Sequence, residues 1–175
     1  MKKTIALRIG RSALVTALAG GVALAVVTPA ALAAPTAAQK ITLGPFGYGS
    51  LKLGMTAAKA RATGKIVRKT IDAQTTCTTW DLKEERYGND RAGVFISKKR
   101  GVAAIVAPSG AKTPQGIGRG ADSVRVKAAY PDLKNGPLGP TANVPGNPKA
   151  SYVFNVGKHG VLAVALVMKA QDCLK

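Results

Sequence analysis

The residues of this chain that could do chemistry are few and widely spaced. Two basic turns stand out, Lys98-Lys99-Arg100 and Lys158-His159, each running directly into a glycine, Gly101 or Gly160. Brought together, they would make one anion-binding edge; apart, they are solvated hairpin tips. His159 is the sole histidine. It has no Cys or His beside it, and Asp132 and Asp172 are only distant carboxylates in the sequence, a poor setting for a general base. Trp80 and Tyr87 could present a flat stacking surface to a sugar or a partner, although a Trp on a strand more often fills a core. Glu84 and Glu85 are adjacent, but neighbours in an extended or turn segment point apart and do not form an acid/base pair.

Other catalytic arrangements are excluded in the same way. None of Ser50, Ser97, Ser109, Ser123 and Ser151 lies in a Gly-x-Ser-x-Gly elbow. The glycines of 116–120 lack the spacing and the Lys-Ser/Thr ending of a phosphate-cradling loop and read as a turn. Two cysteines and one histidine cannot assemble a zinc site. No catalytic residue, metal site or cofactor is expected, and a small hydrolase is the weakest of the functional classes.

The chain's beginning points to export. Lys2, Lys3, Arg8 and Arg11 precede an apolar run, and the small residues Ala31-Leu32-Ala33 close it. That order is that of a secretory signal peptide over 1–33, with Pro35 favouring a cut after Ala33. No transmembrane segment is expected once it is removed, and the location is secreted and extracellular. Removal takes four basic residues and lowers the net charge from +18 to +14. A charge of this size draws anionic partners at long range. Outside a cell those are wall polymers, lipid headgroups and acidic proteins; nothing points to nucleic-acid specificity. In an oxidising space the even cysteine count makes a Cys77–Cys173 disulfide the expected state.

These residues must be positioned by the elements around them. After a flexible leader over 34–46, Thr56 offers a cap to a helix over 57–63, and Gly64 stops it. Residues 77–82 read as a strand, 83–91 as a charged turn region, and 94–96 with 102–106 as a hairpin. Past a linker at 108–114, Asp122 caps a helix over 123–130, ended by Pro131. Gly, Pro and Asn dominate 134–149, which reads as a long loop. Residues 152–156 and 161–168 form the last hairpin. The final strand is apolar on both faces and needs cover on both, or a central place with helices on one side.

Residues 94–104 and 153–163 align without a gap, with Val94/Val153, Phe95/Phe154, Lys99/Lys158, Gly101/Gly160, Val102/Val161 and Ala104/Ala163 identical. The expected architecture is therefore α+β: two tandem helix-plus-antiparallel-strand repeats, 47–108 and 109–175, sharing a sheet.

Leu51-Lys52-Leu53-Gly54-Met55-Thr56, a short helix, Gly64 and then Cys77-Thr78-Thr79-Trp80 resemble the beta-lactamase inhibitory protein of actinobacteria. They also resemble the small lipoprotein domain of outer-membrane assembly machinery. The likeness covers most of 47–106 but only the helix and hairpin of 116–168, and with the Ala-rich leader it suggests an exported actinobacterial protein. It implies a tandem of two such units and the inhibition of an extracellular hydrolase. In the inhibitor each unit holds its own disulfide and the binding face is rich in aromatics. Here one bond would join the halves and aromatics are few, so no inhibitory residue carries over. The expected function is a secreted, non-enzymatic binding protein engaging an extracellular macromolecule or anionic wall surface, with hydrolase inhibition as the alternative.

Overall fold

The structure is a computed structural model that describes residues 42–69 and 76–174. The expected signal peptide and most of the leader lie outside the described residues. Three two-residue strands, β1 (Leu43–Gly44), β2 (Gly47–Tyr48) and β3 (Leu51–Lys52), form a small sheet. Helix α1 (Ala57–Ala62) follows, then β4 (Ile66–Lys69), β5 (Cys77–Leu82), β6 (Val94–Ser97) and β7 (Gly101–Val106). Helix α2 (Ser123–Ala129) leads to β8 (Lys134–Gly136), β9 (Gly139–Val144), β10 (Asn147–Gly157) and β11 (Gly160–Met168). The last eight strands make one sheet in the order β4-β5-β6-β7-β11-β10-β9-β8, antiparallel throughout.

This corrects the α+β expectation. Among the described residues the fold is mostly antiparallel β, 46% strand against 10% helix, and the two helices there have only six and seven residues. The cap signals are real: Thr56 accepts from the Lys59 amide at 3.3 Å and Asp122 from the Arg125 amide at 2.8 Å. Caps, however, mark where a helix starts and not how much of the chain it occupies. The stretch expected to be a loop supplies β8, β9 and the start of β10. Gly139 and Pro140 pair only with the edge strand β8, and backbone ladders beside a sheet edge tolerate Pro and Gly, so composition does not announce these strands. The leader expectation also ends early, because Leu43 is fully buried and its carbonyl accepts from the Tyr152 hydroxyl at 2.9 Å.

The ungapped match between the hairpins does not hold strand for strand. The β6–β7 turn has three residues between Ser97 and Gly101, whereas the β10–β11 turn has two between Gly157 and Gly160. A one-residue offset moves every side chain of a strand to the other face. Phe154 is accordingly buried among the core side chains while Phe95 lies on the opposite side of the sheet with the disulfide cluster. The two glycines themselves do occupy matching settings. Val102 exchanges backbone hydrogen bonds with Gly54 and Met55 just ahead of α1, and Val161 does so with Gly120 and Ala121 just ahead of α2.

The core lies on one face of the large sheet. Trp80, Leu82, Val94, Ile105, Tyr152, Phe154, Val164 and Leu166 project toward Leu43, Leu51, Ala60, Val126 and Tyr130. Tyr130 packs on Tyr152 and Phe154 at ring-centroid distances of 5.7 and 5.3 Å. The alternate residues of the same strands, including Thr79, Phe95, Val106, Val153 and Ala165, occupy the other face, which carries no helix among the described residues.

Candidate functional site

On the helix-free face lies a cavity of about 410 Å³. Its floor is made by neighbouring strands: Phe95 of β6, Val106 of β7, Ala163 and Ala165 of β11, and Val153 of β10. The ladder explains the grouping, because Val106 sits opposite Ala165 and Ala165 opposite Val153. Two alanines at the centre of a strand flanked by Val and Phe leave a depression where larger side chains would have filled it. The both-faces-apolar reading of 161–167 is met by a central strand with helices on one side, and the cavity occupies its other side.

The rim comes from loops. Tyr87 and Ala92 form one wall, with Asp90 and Arg91 beside them, and Arg119 reaches in from the segment before α2. Lys69 holds the Tyr87 segment against the sheet. Its ammonium donates to the carbonyls of Tyr87 at 2.7 Å and Gly88 at 2.5 Å and pairs with Asp81 at 3.2 Å. The other Asp81 oxygen accepts from the Gly93 amide at 3.3 Å. Tyr87 lies over Gly93 so closely that a β-carbon there would come within 3.0 Å of its ring. Burial, with Glu85 nearby, pushes the Tyr87 phenol up to about 12, so it is a neutral donor and acceptor at physiological pH. Glu85 accepts from Arg119 at 2.9 Å and from the Ser109 amide, fixing the guanidinium.

The expected site residues scatter across the molecule. Lys98, Lys99 and Arg100 are exposed in the β6–β7 turn, and Lys158 and His159 are exposed in the β10–β11 turn. Ala104 pairs with Val167 and Val106 with Ala165, so the start of β7 lies beside the end of β11. The two basic turns therefore sit at opposite ends of the sheet and do not form one edge. Trp80 is buried on the helix side, its ring under the Arg68 guanidinium at 5.2 Å and its indole N–H donating to Thr78 at 2.9 Å. Tyr87 is on the other face, so the pair makes no joint stacking surface. Tyr87 alone of the expected residues lines the cavity.

Arg91, Arg119 and the small-residue floor escaped the sequence reading. The alternation of Ala163 and Ala165 with Val164 and Leu166 was the available signal, since small residues on one side of a central strand leave room there.

Cys77 and Cys173 form a disulfide with Cα atoms 5.6 Å apart, bridging β5 to the tail after β11. Among the described residues the group of possible metal ligands is Cys77, Cys173 and Asp172, and both sulfurs are in that bond. No described helix is long and apolar enough to cross a membrane. No family model, no curated protein and no solved structure matches this chain.

Proposed function

We propose that the chain is an exported, non-catalytic binding protein that engages an anionic extracellular partner through the helix-free face of its large sheet. The observation that carries this is the uncovered apolar depression bordered by Tyr87, Arg91 and Arg119. Apolar surface left open and rimmed by polar groups is what recognition sites present. The disulfide fits an oxidising space, and the net charge, +14 once the expected signal peptide is removed, fits anionic polymers and proteins as partners.

Retention of the purified chain on cell wall bearing anionic polymers tests this reading. Binding should fall steeply with salt, and the Arg91→Gln/Arg119→Gln pair should lose more of it than a Lys98→Gln/Lys99→Gln pair on the distant turn. Equal losses would show that the face is not used and that only net charge matters. The same open sheet face favours a second reading, an inhibitor of an extracellular hydrolase docking as a protein partner. Assays of beta-lactamases, proteases and lysozymes with added chain would reveal it.

A further inference from the structure

We propose that the end of the molecule carrying the β1–β2 and β6–β7 turns docks on an anionic phospholipid surface. The Phe46 ring enters the boundary between headgroups and acyl chains, and the Lys52 and Lys149 ammoniums take lipid phosphates. This goes beyond the reading above, because it uses neither the helix-free face nor its rim.

The apolar element is one side chain displayed by a fixed turn. Pro45 and Phe46 make the two-residue link between the paired glycines Gly44 and Gly47. The Phe46 carbonyl accepts from the Leu53 amide at 2.9 Å, and the Pro45 carbonyl accepts from the Asn147 side-chain amide at 2.7 Å. A β-carbon on Gly47 would collide with the Leu51 carbonyl, so the turn lies hard against the next strand. Leu43, Tyr48 and Leu51 around it are buried, while Phe46 is 56% exposed. Folding gains little from an aromatic ring left in water. Because its backbone is already ordered, the ring loses little freedom on docking.

Charge supplies the second element. A groove of about 340 Å³ opens beside the ring, lined by Phe46, Lys52, Leu53, Asn147, Lys149 and Met168. No carboxylate lines it, and neither lysine has an ion-pair partner among the described residues. Arg91 and Arg119 on the open face differ, since each is paired. Gly54 and Met55, just past this groove, exchange backbone hydrogen bonds with Val102. The exposed Lys98, Lys99 and Arg100 of the β6–β7 turn therefore add to the field at the same end. The carboxylates toward that end are engaged. Asp132 accepts from the Asn143 amide at 2.9 Å and from its side chain at 2.6 Å, beside Lys169, and Asp172 lies 4.0 Å from both disulfide sulfurs.

The ring decides between anionic partners. A soluble polyanion would use the cations and leave Phe46 in water. A bilayer surface uses both, because lysine stems lie over apolar surface while their ammoniums stay at phosphate level. Leu53 and Met168, half-buried beside the ring, extend the apolar strip.

The test is co-sedimentation of the chain, purified after export, with vesicles of equal parts phosphatidylglycerol and phosphatidylcholine, and with phosphatidylcholine alone. The mixed vesicles should bind it and the neutral ones should not. Lys52→Gln/Lys149→Gln should weaken partitioning about twentyfold. The charge-matched pair Lys83→Gln/Lys158→Gln, at the other end of the sheet, should weaken it much less. Phe46→Ser, on an exposed turn outside the core, should cost about tenfold. The indole supplied by Phe46→Trp should be quenched by lipids brominated on their acyl chains, while Trp80 of the unaltered chain should not. Equal binding to both vesicles, or equal losses from the two lysine pairs, overturns the proposal. So does an unquenched indole with unchanged partitioning of Phe46→Ser, which would mark the surface as a site for a soluble polyanion.

Discussion

Lys69 connects the sheet edge to the candidate site, and its surroundings show why a single ammonium matters. Its side chain is 12% exposed and that of its partner Asp81 is 7% exposed. Two buried opposite charges attract strongly, but much of that gain repays their desolvation, so the pair adds little net stability over an apolar one. Removing one partner is different, because the other charge stays buried without compensation. Lys69→Met should therefore destabilise the fold by about 3 kcal/mol in urea unfolding. Adding Asp81→Asn, which removes the stranded charge and keeps an acceptor for the Gly93 amide, should recover part of the loss. The same substitution releases the Tyr87 and Gly88 carbonyls. The Tyr87 phenol should then titrate closer to its ordinary value of 10.0 in ultraviolet absorbance. A Lys69→Met protein as stable as the wild type would show that the ammonium is solvated and not a clamp.

At the scale of elements, two hairpins meet two helices through glycines that nothing else can replace. Gly101 has φ 75° and Gly160 has φ 114°. A β-carbon on Gly101 would lie 2.5 Å from the Gly54 and Met55 carbonyl oxygens, and one on Gly160 would lie 2.6 Å from that of Ala121. The Met55 and Ala121 carbonyls accept the Val102 and Val161 amides that join each hairpin to its helix, so they cannot retreat without breaking those bonds. Gly160→Ala should cost about 3 kcal/mol. Gly110→Ala, at φ 81° with open space around it, should cost about 1 kcal/mol from backbone strain alone. Denaturant midpoints for the two variants would separate close approach from conformational preference. This junction was legible in the sequence, as the shared Gly-Val step and the Thr56 and Asp122 caps, and so was the disulfide. The strand faces were not. Identity at Phe95 and Phe154 suggested equivalence, yet turn length sets register, and one residue's difference reverses the faces. Nor could composition show that the Pro- and Gly-rich 134–149 adds strands to the sheet's outer edge, because ladder bonds leave no side-chain signature. The cavity was hidden for a related reason: its floor residues are ordinary strand formers, and only the register across the central strands collects them.

The described residues build a large sheet with one face sealed by the helices and the small sheet and the other face without a described helix, and the tyrosines report on both. Tyr130 and Tyr152 lie within the sealed core, Tyr48 joins it from strand β2 of the small sheet, and Tyr87 walls the open cavity. Burial is the leading cause in all four, and each phenol is held above its ordinary 10.0, Tyr87 and Tyr130 up to about 12 and the other two higher still. Tyr48 also donates to Glu84, whose carboxylate favours the neutral phenol further, and Lys65 pairs with the same carboxylate at 2.7 Å. The folded state thus keeps these protons more tightly than the unfolded chain does. The resulting stabilisation is complete below pH 10.0, where both states are protonated, and is lost as pH rises toward and through 12. The urea midpoint should change little between about pH 7 and 9 through these groups and then fall steeply above pH 10. Phenolate absorbance should rise together with loss of the near-ultraviolet circular dichroism, because ionisation in the core requires unfolding. Four phenols titrating near pH 10 in a protein that keeps its dichroism would contradict a sealed face. If Tyr87 alone ionises ahead of the cooperative transition, the open face loosens before the core does.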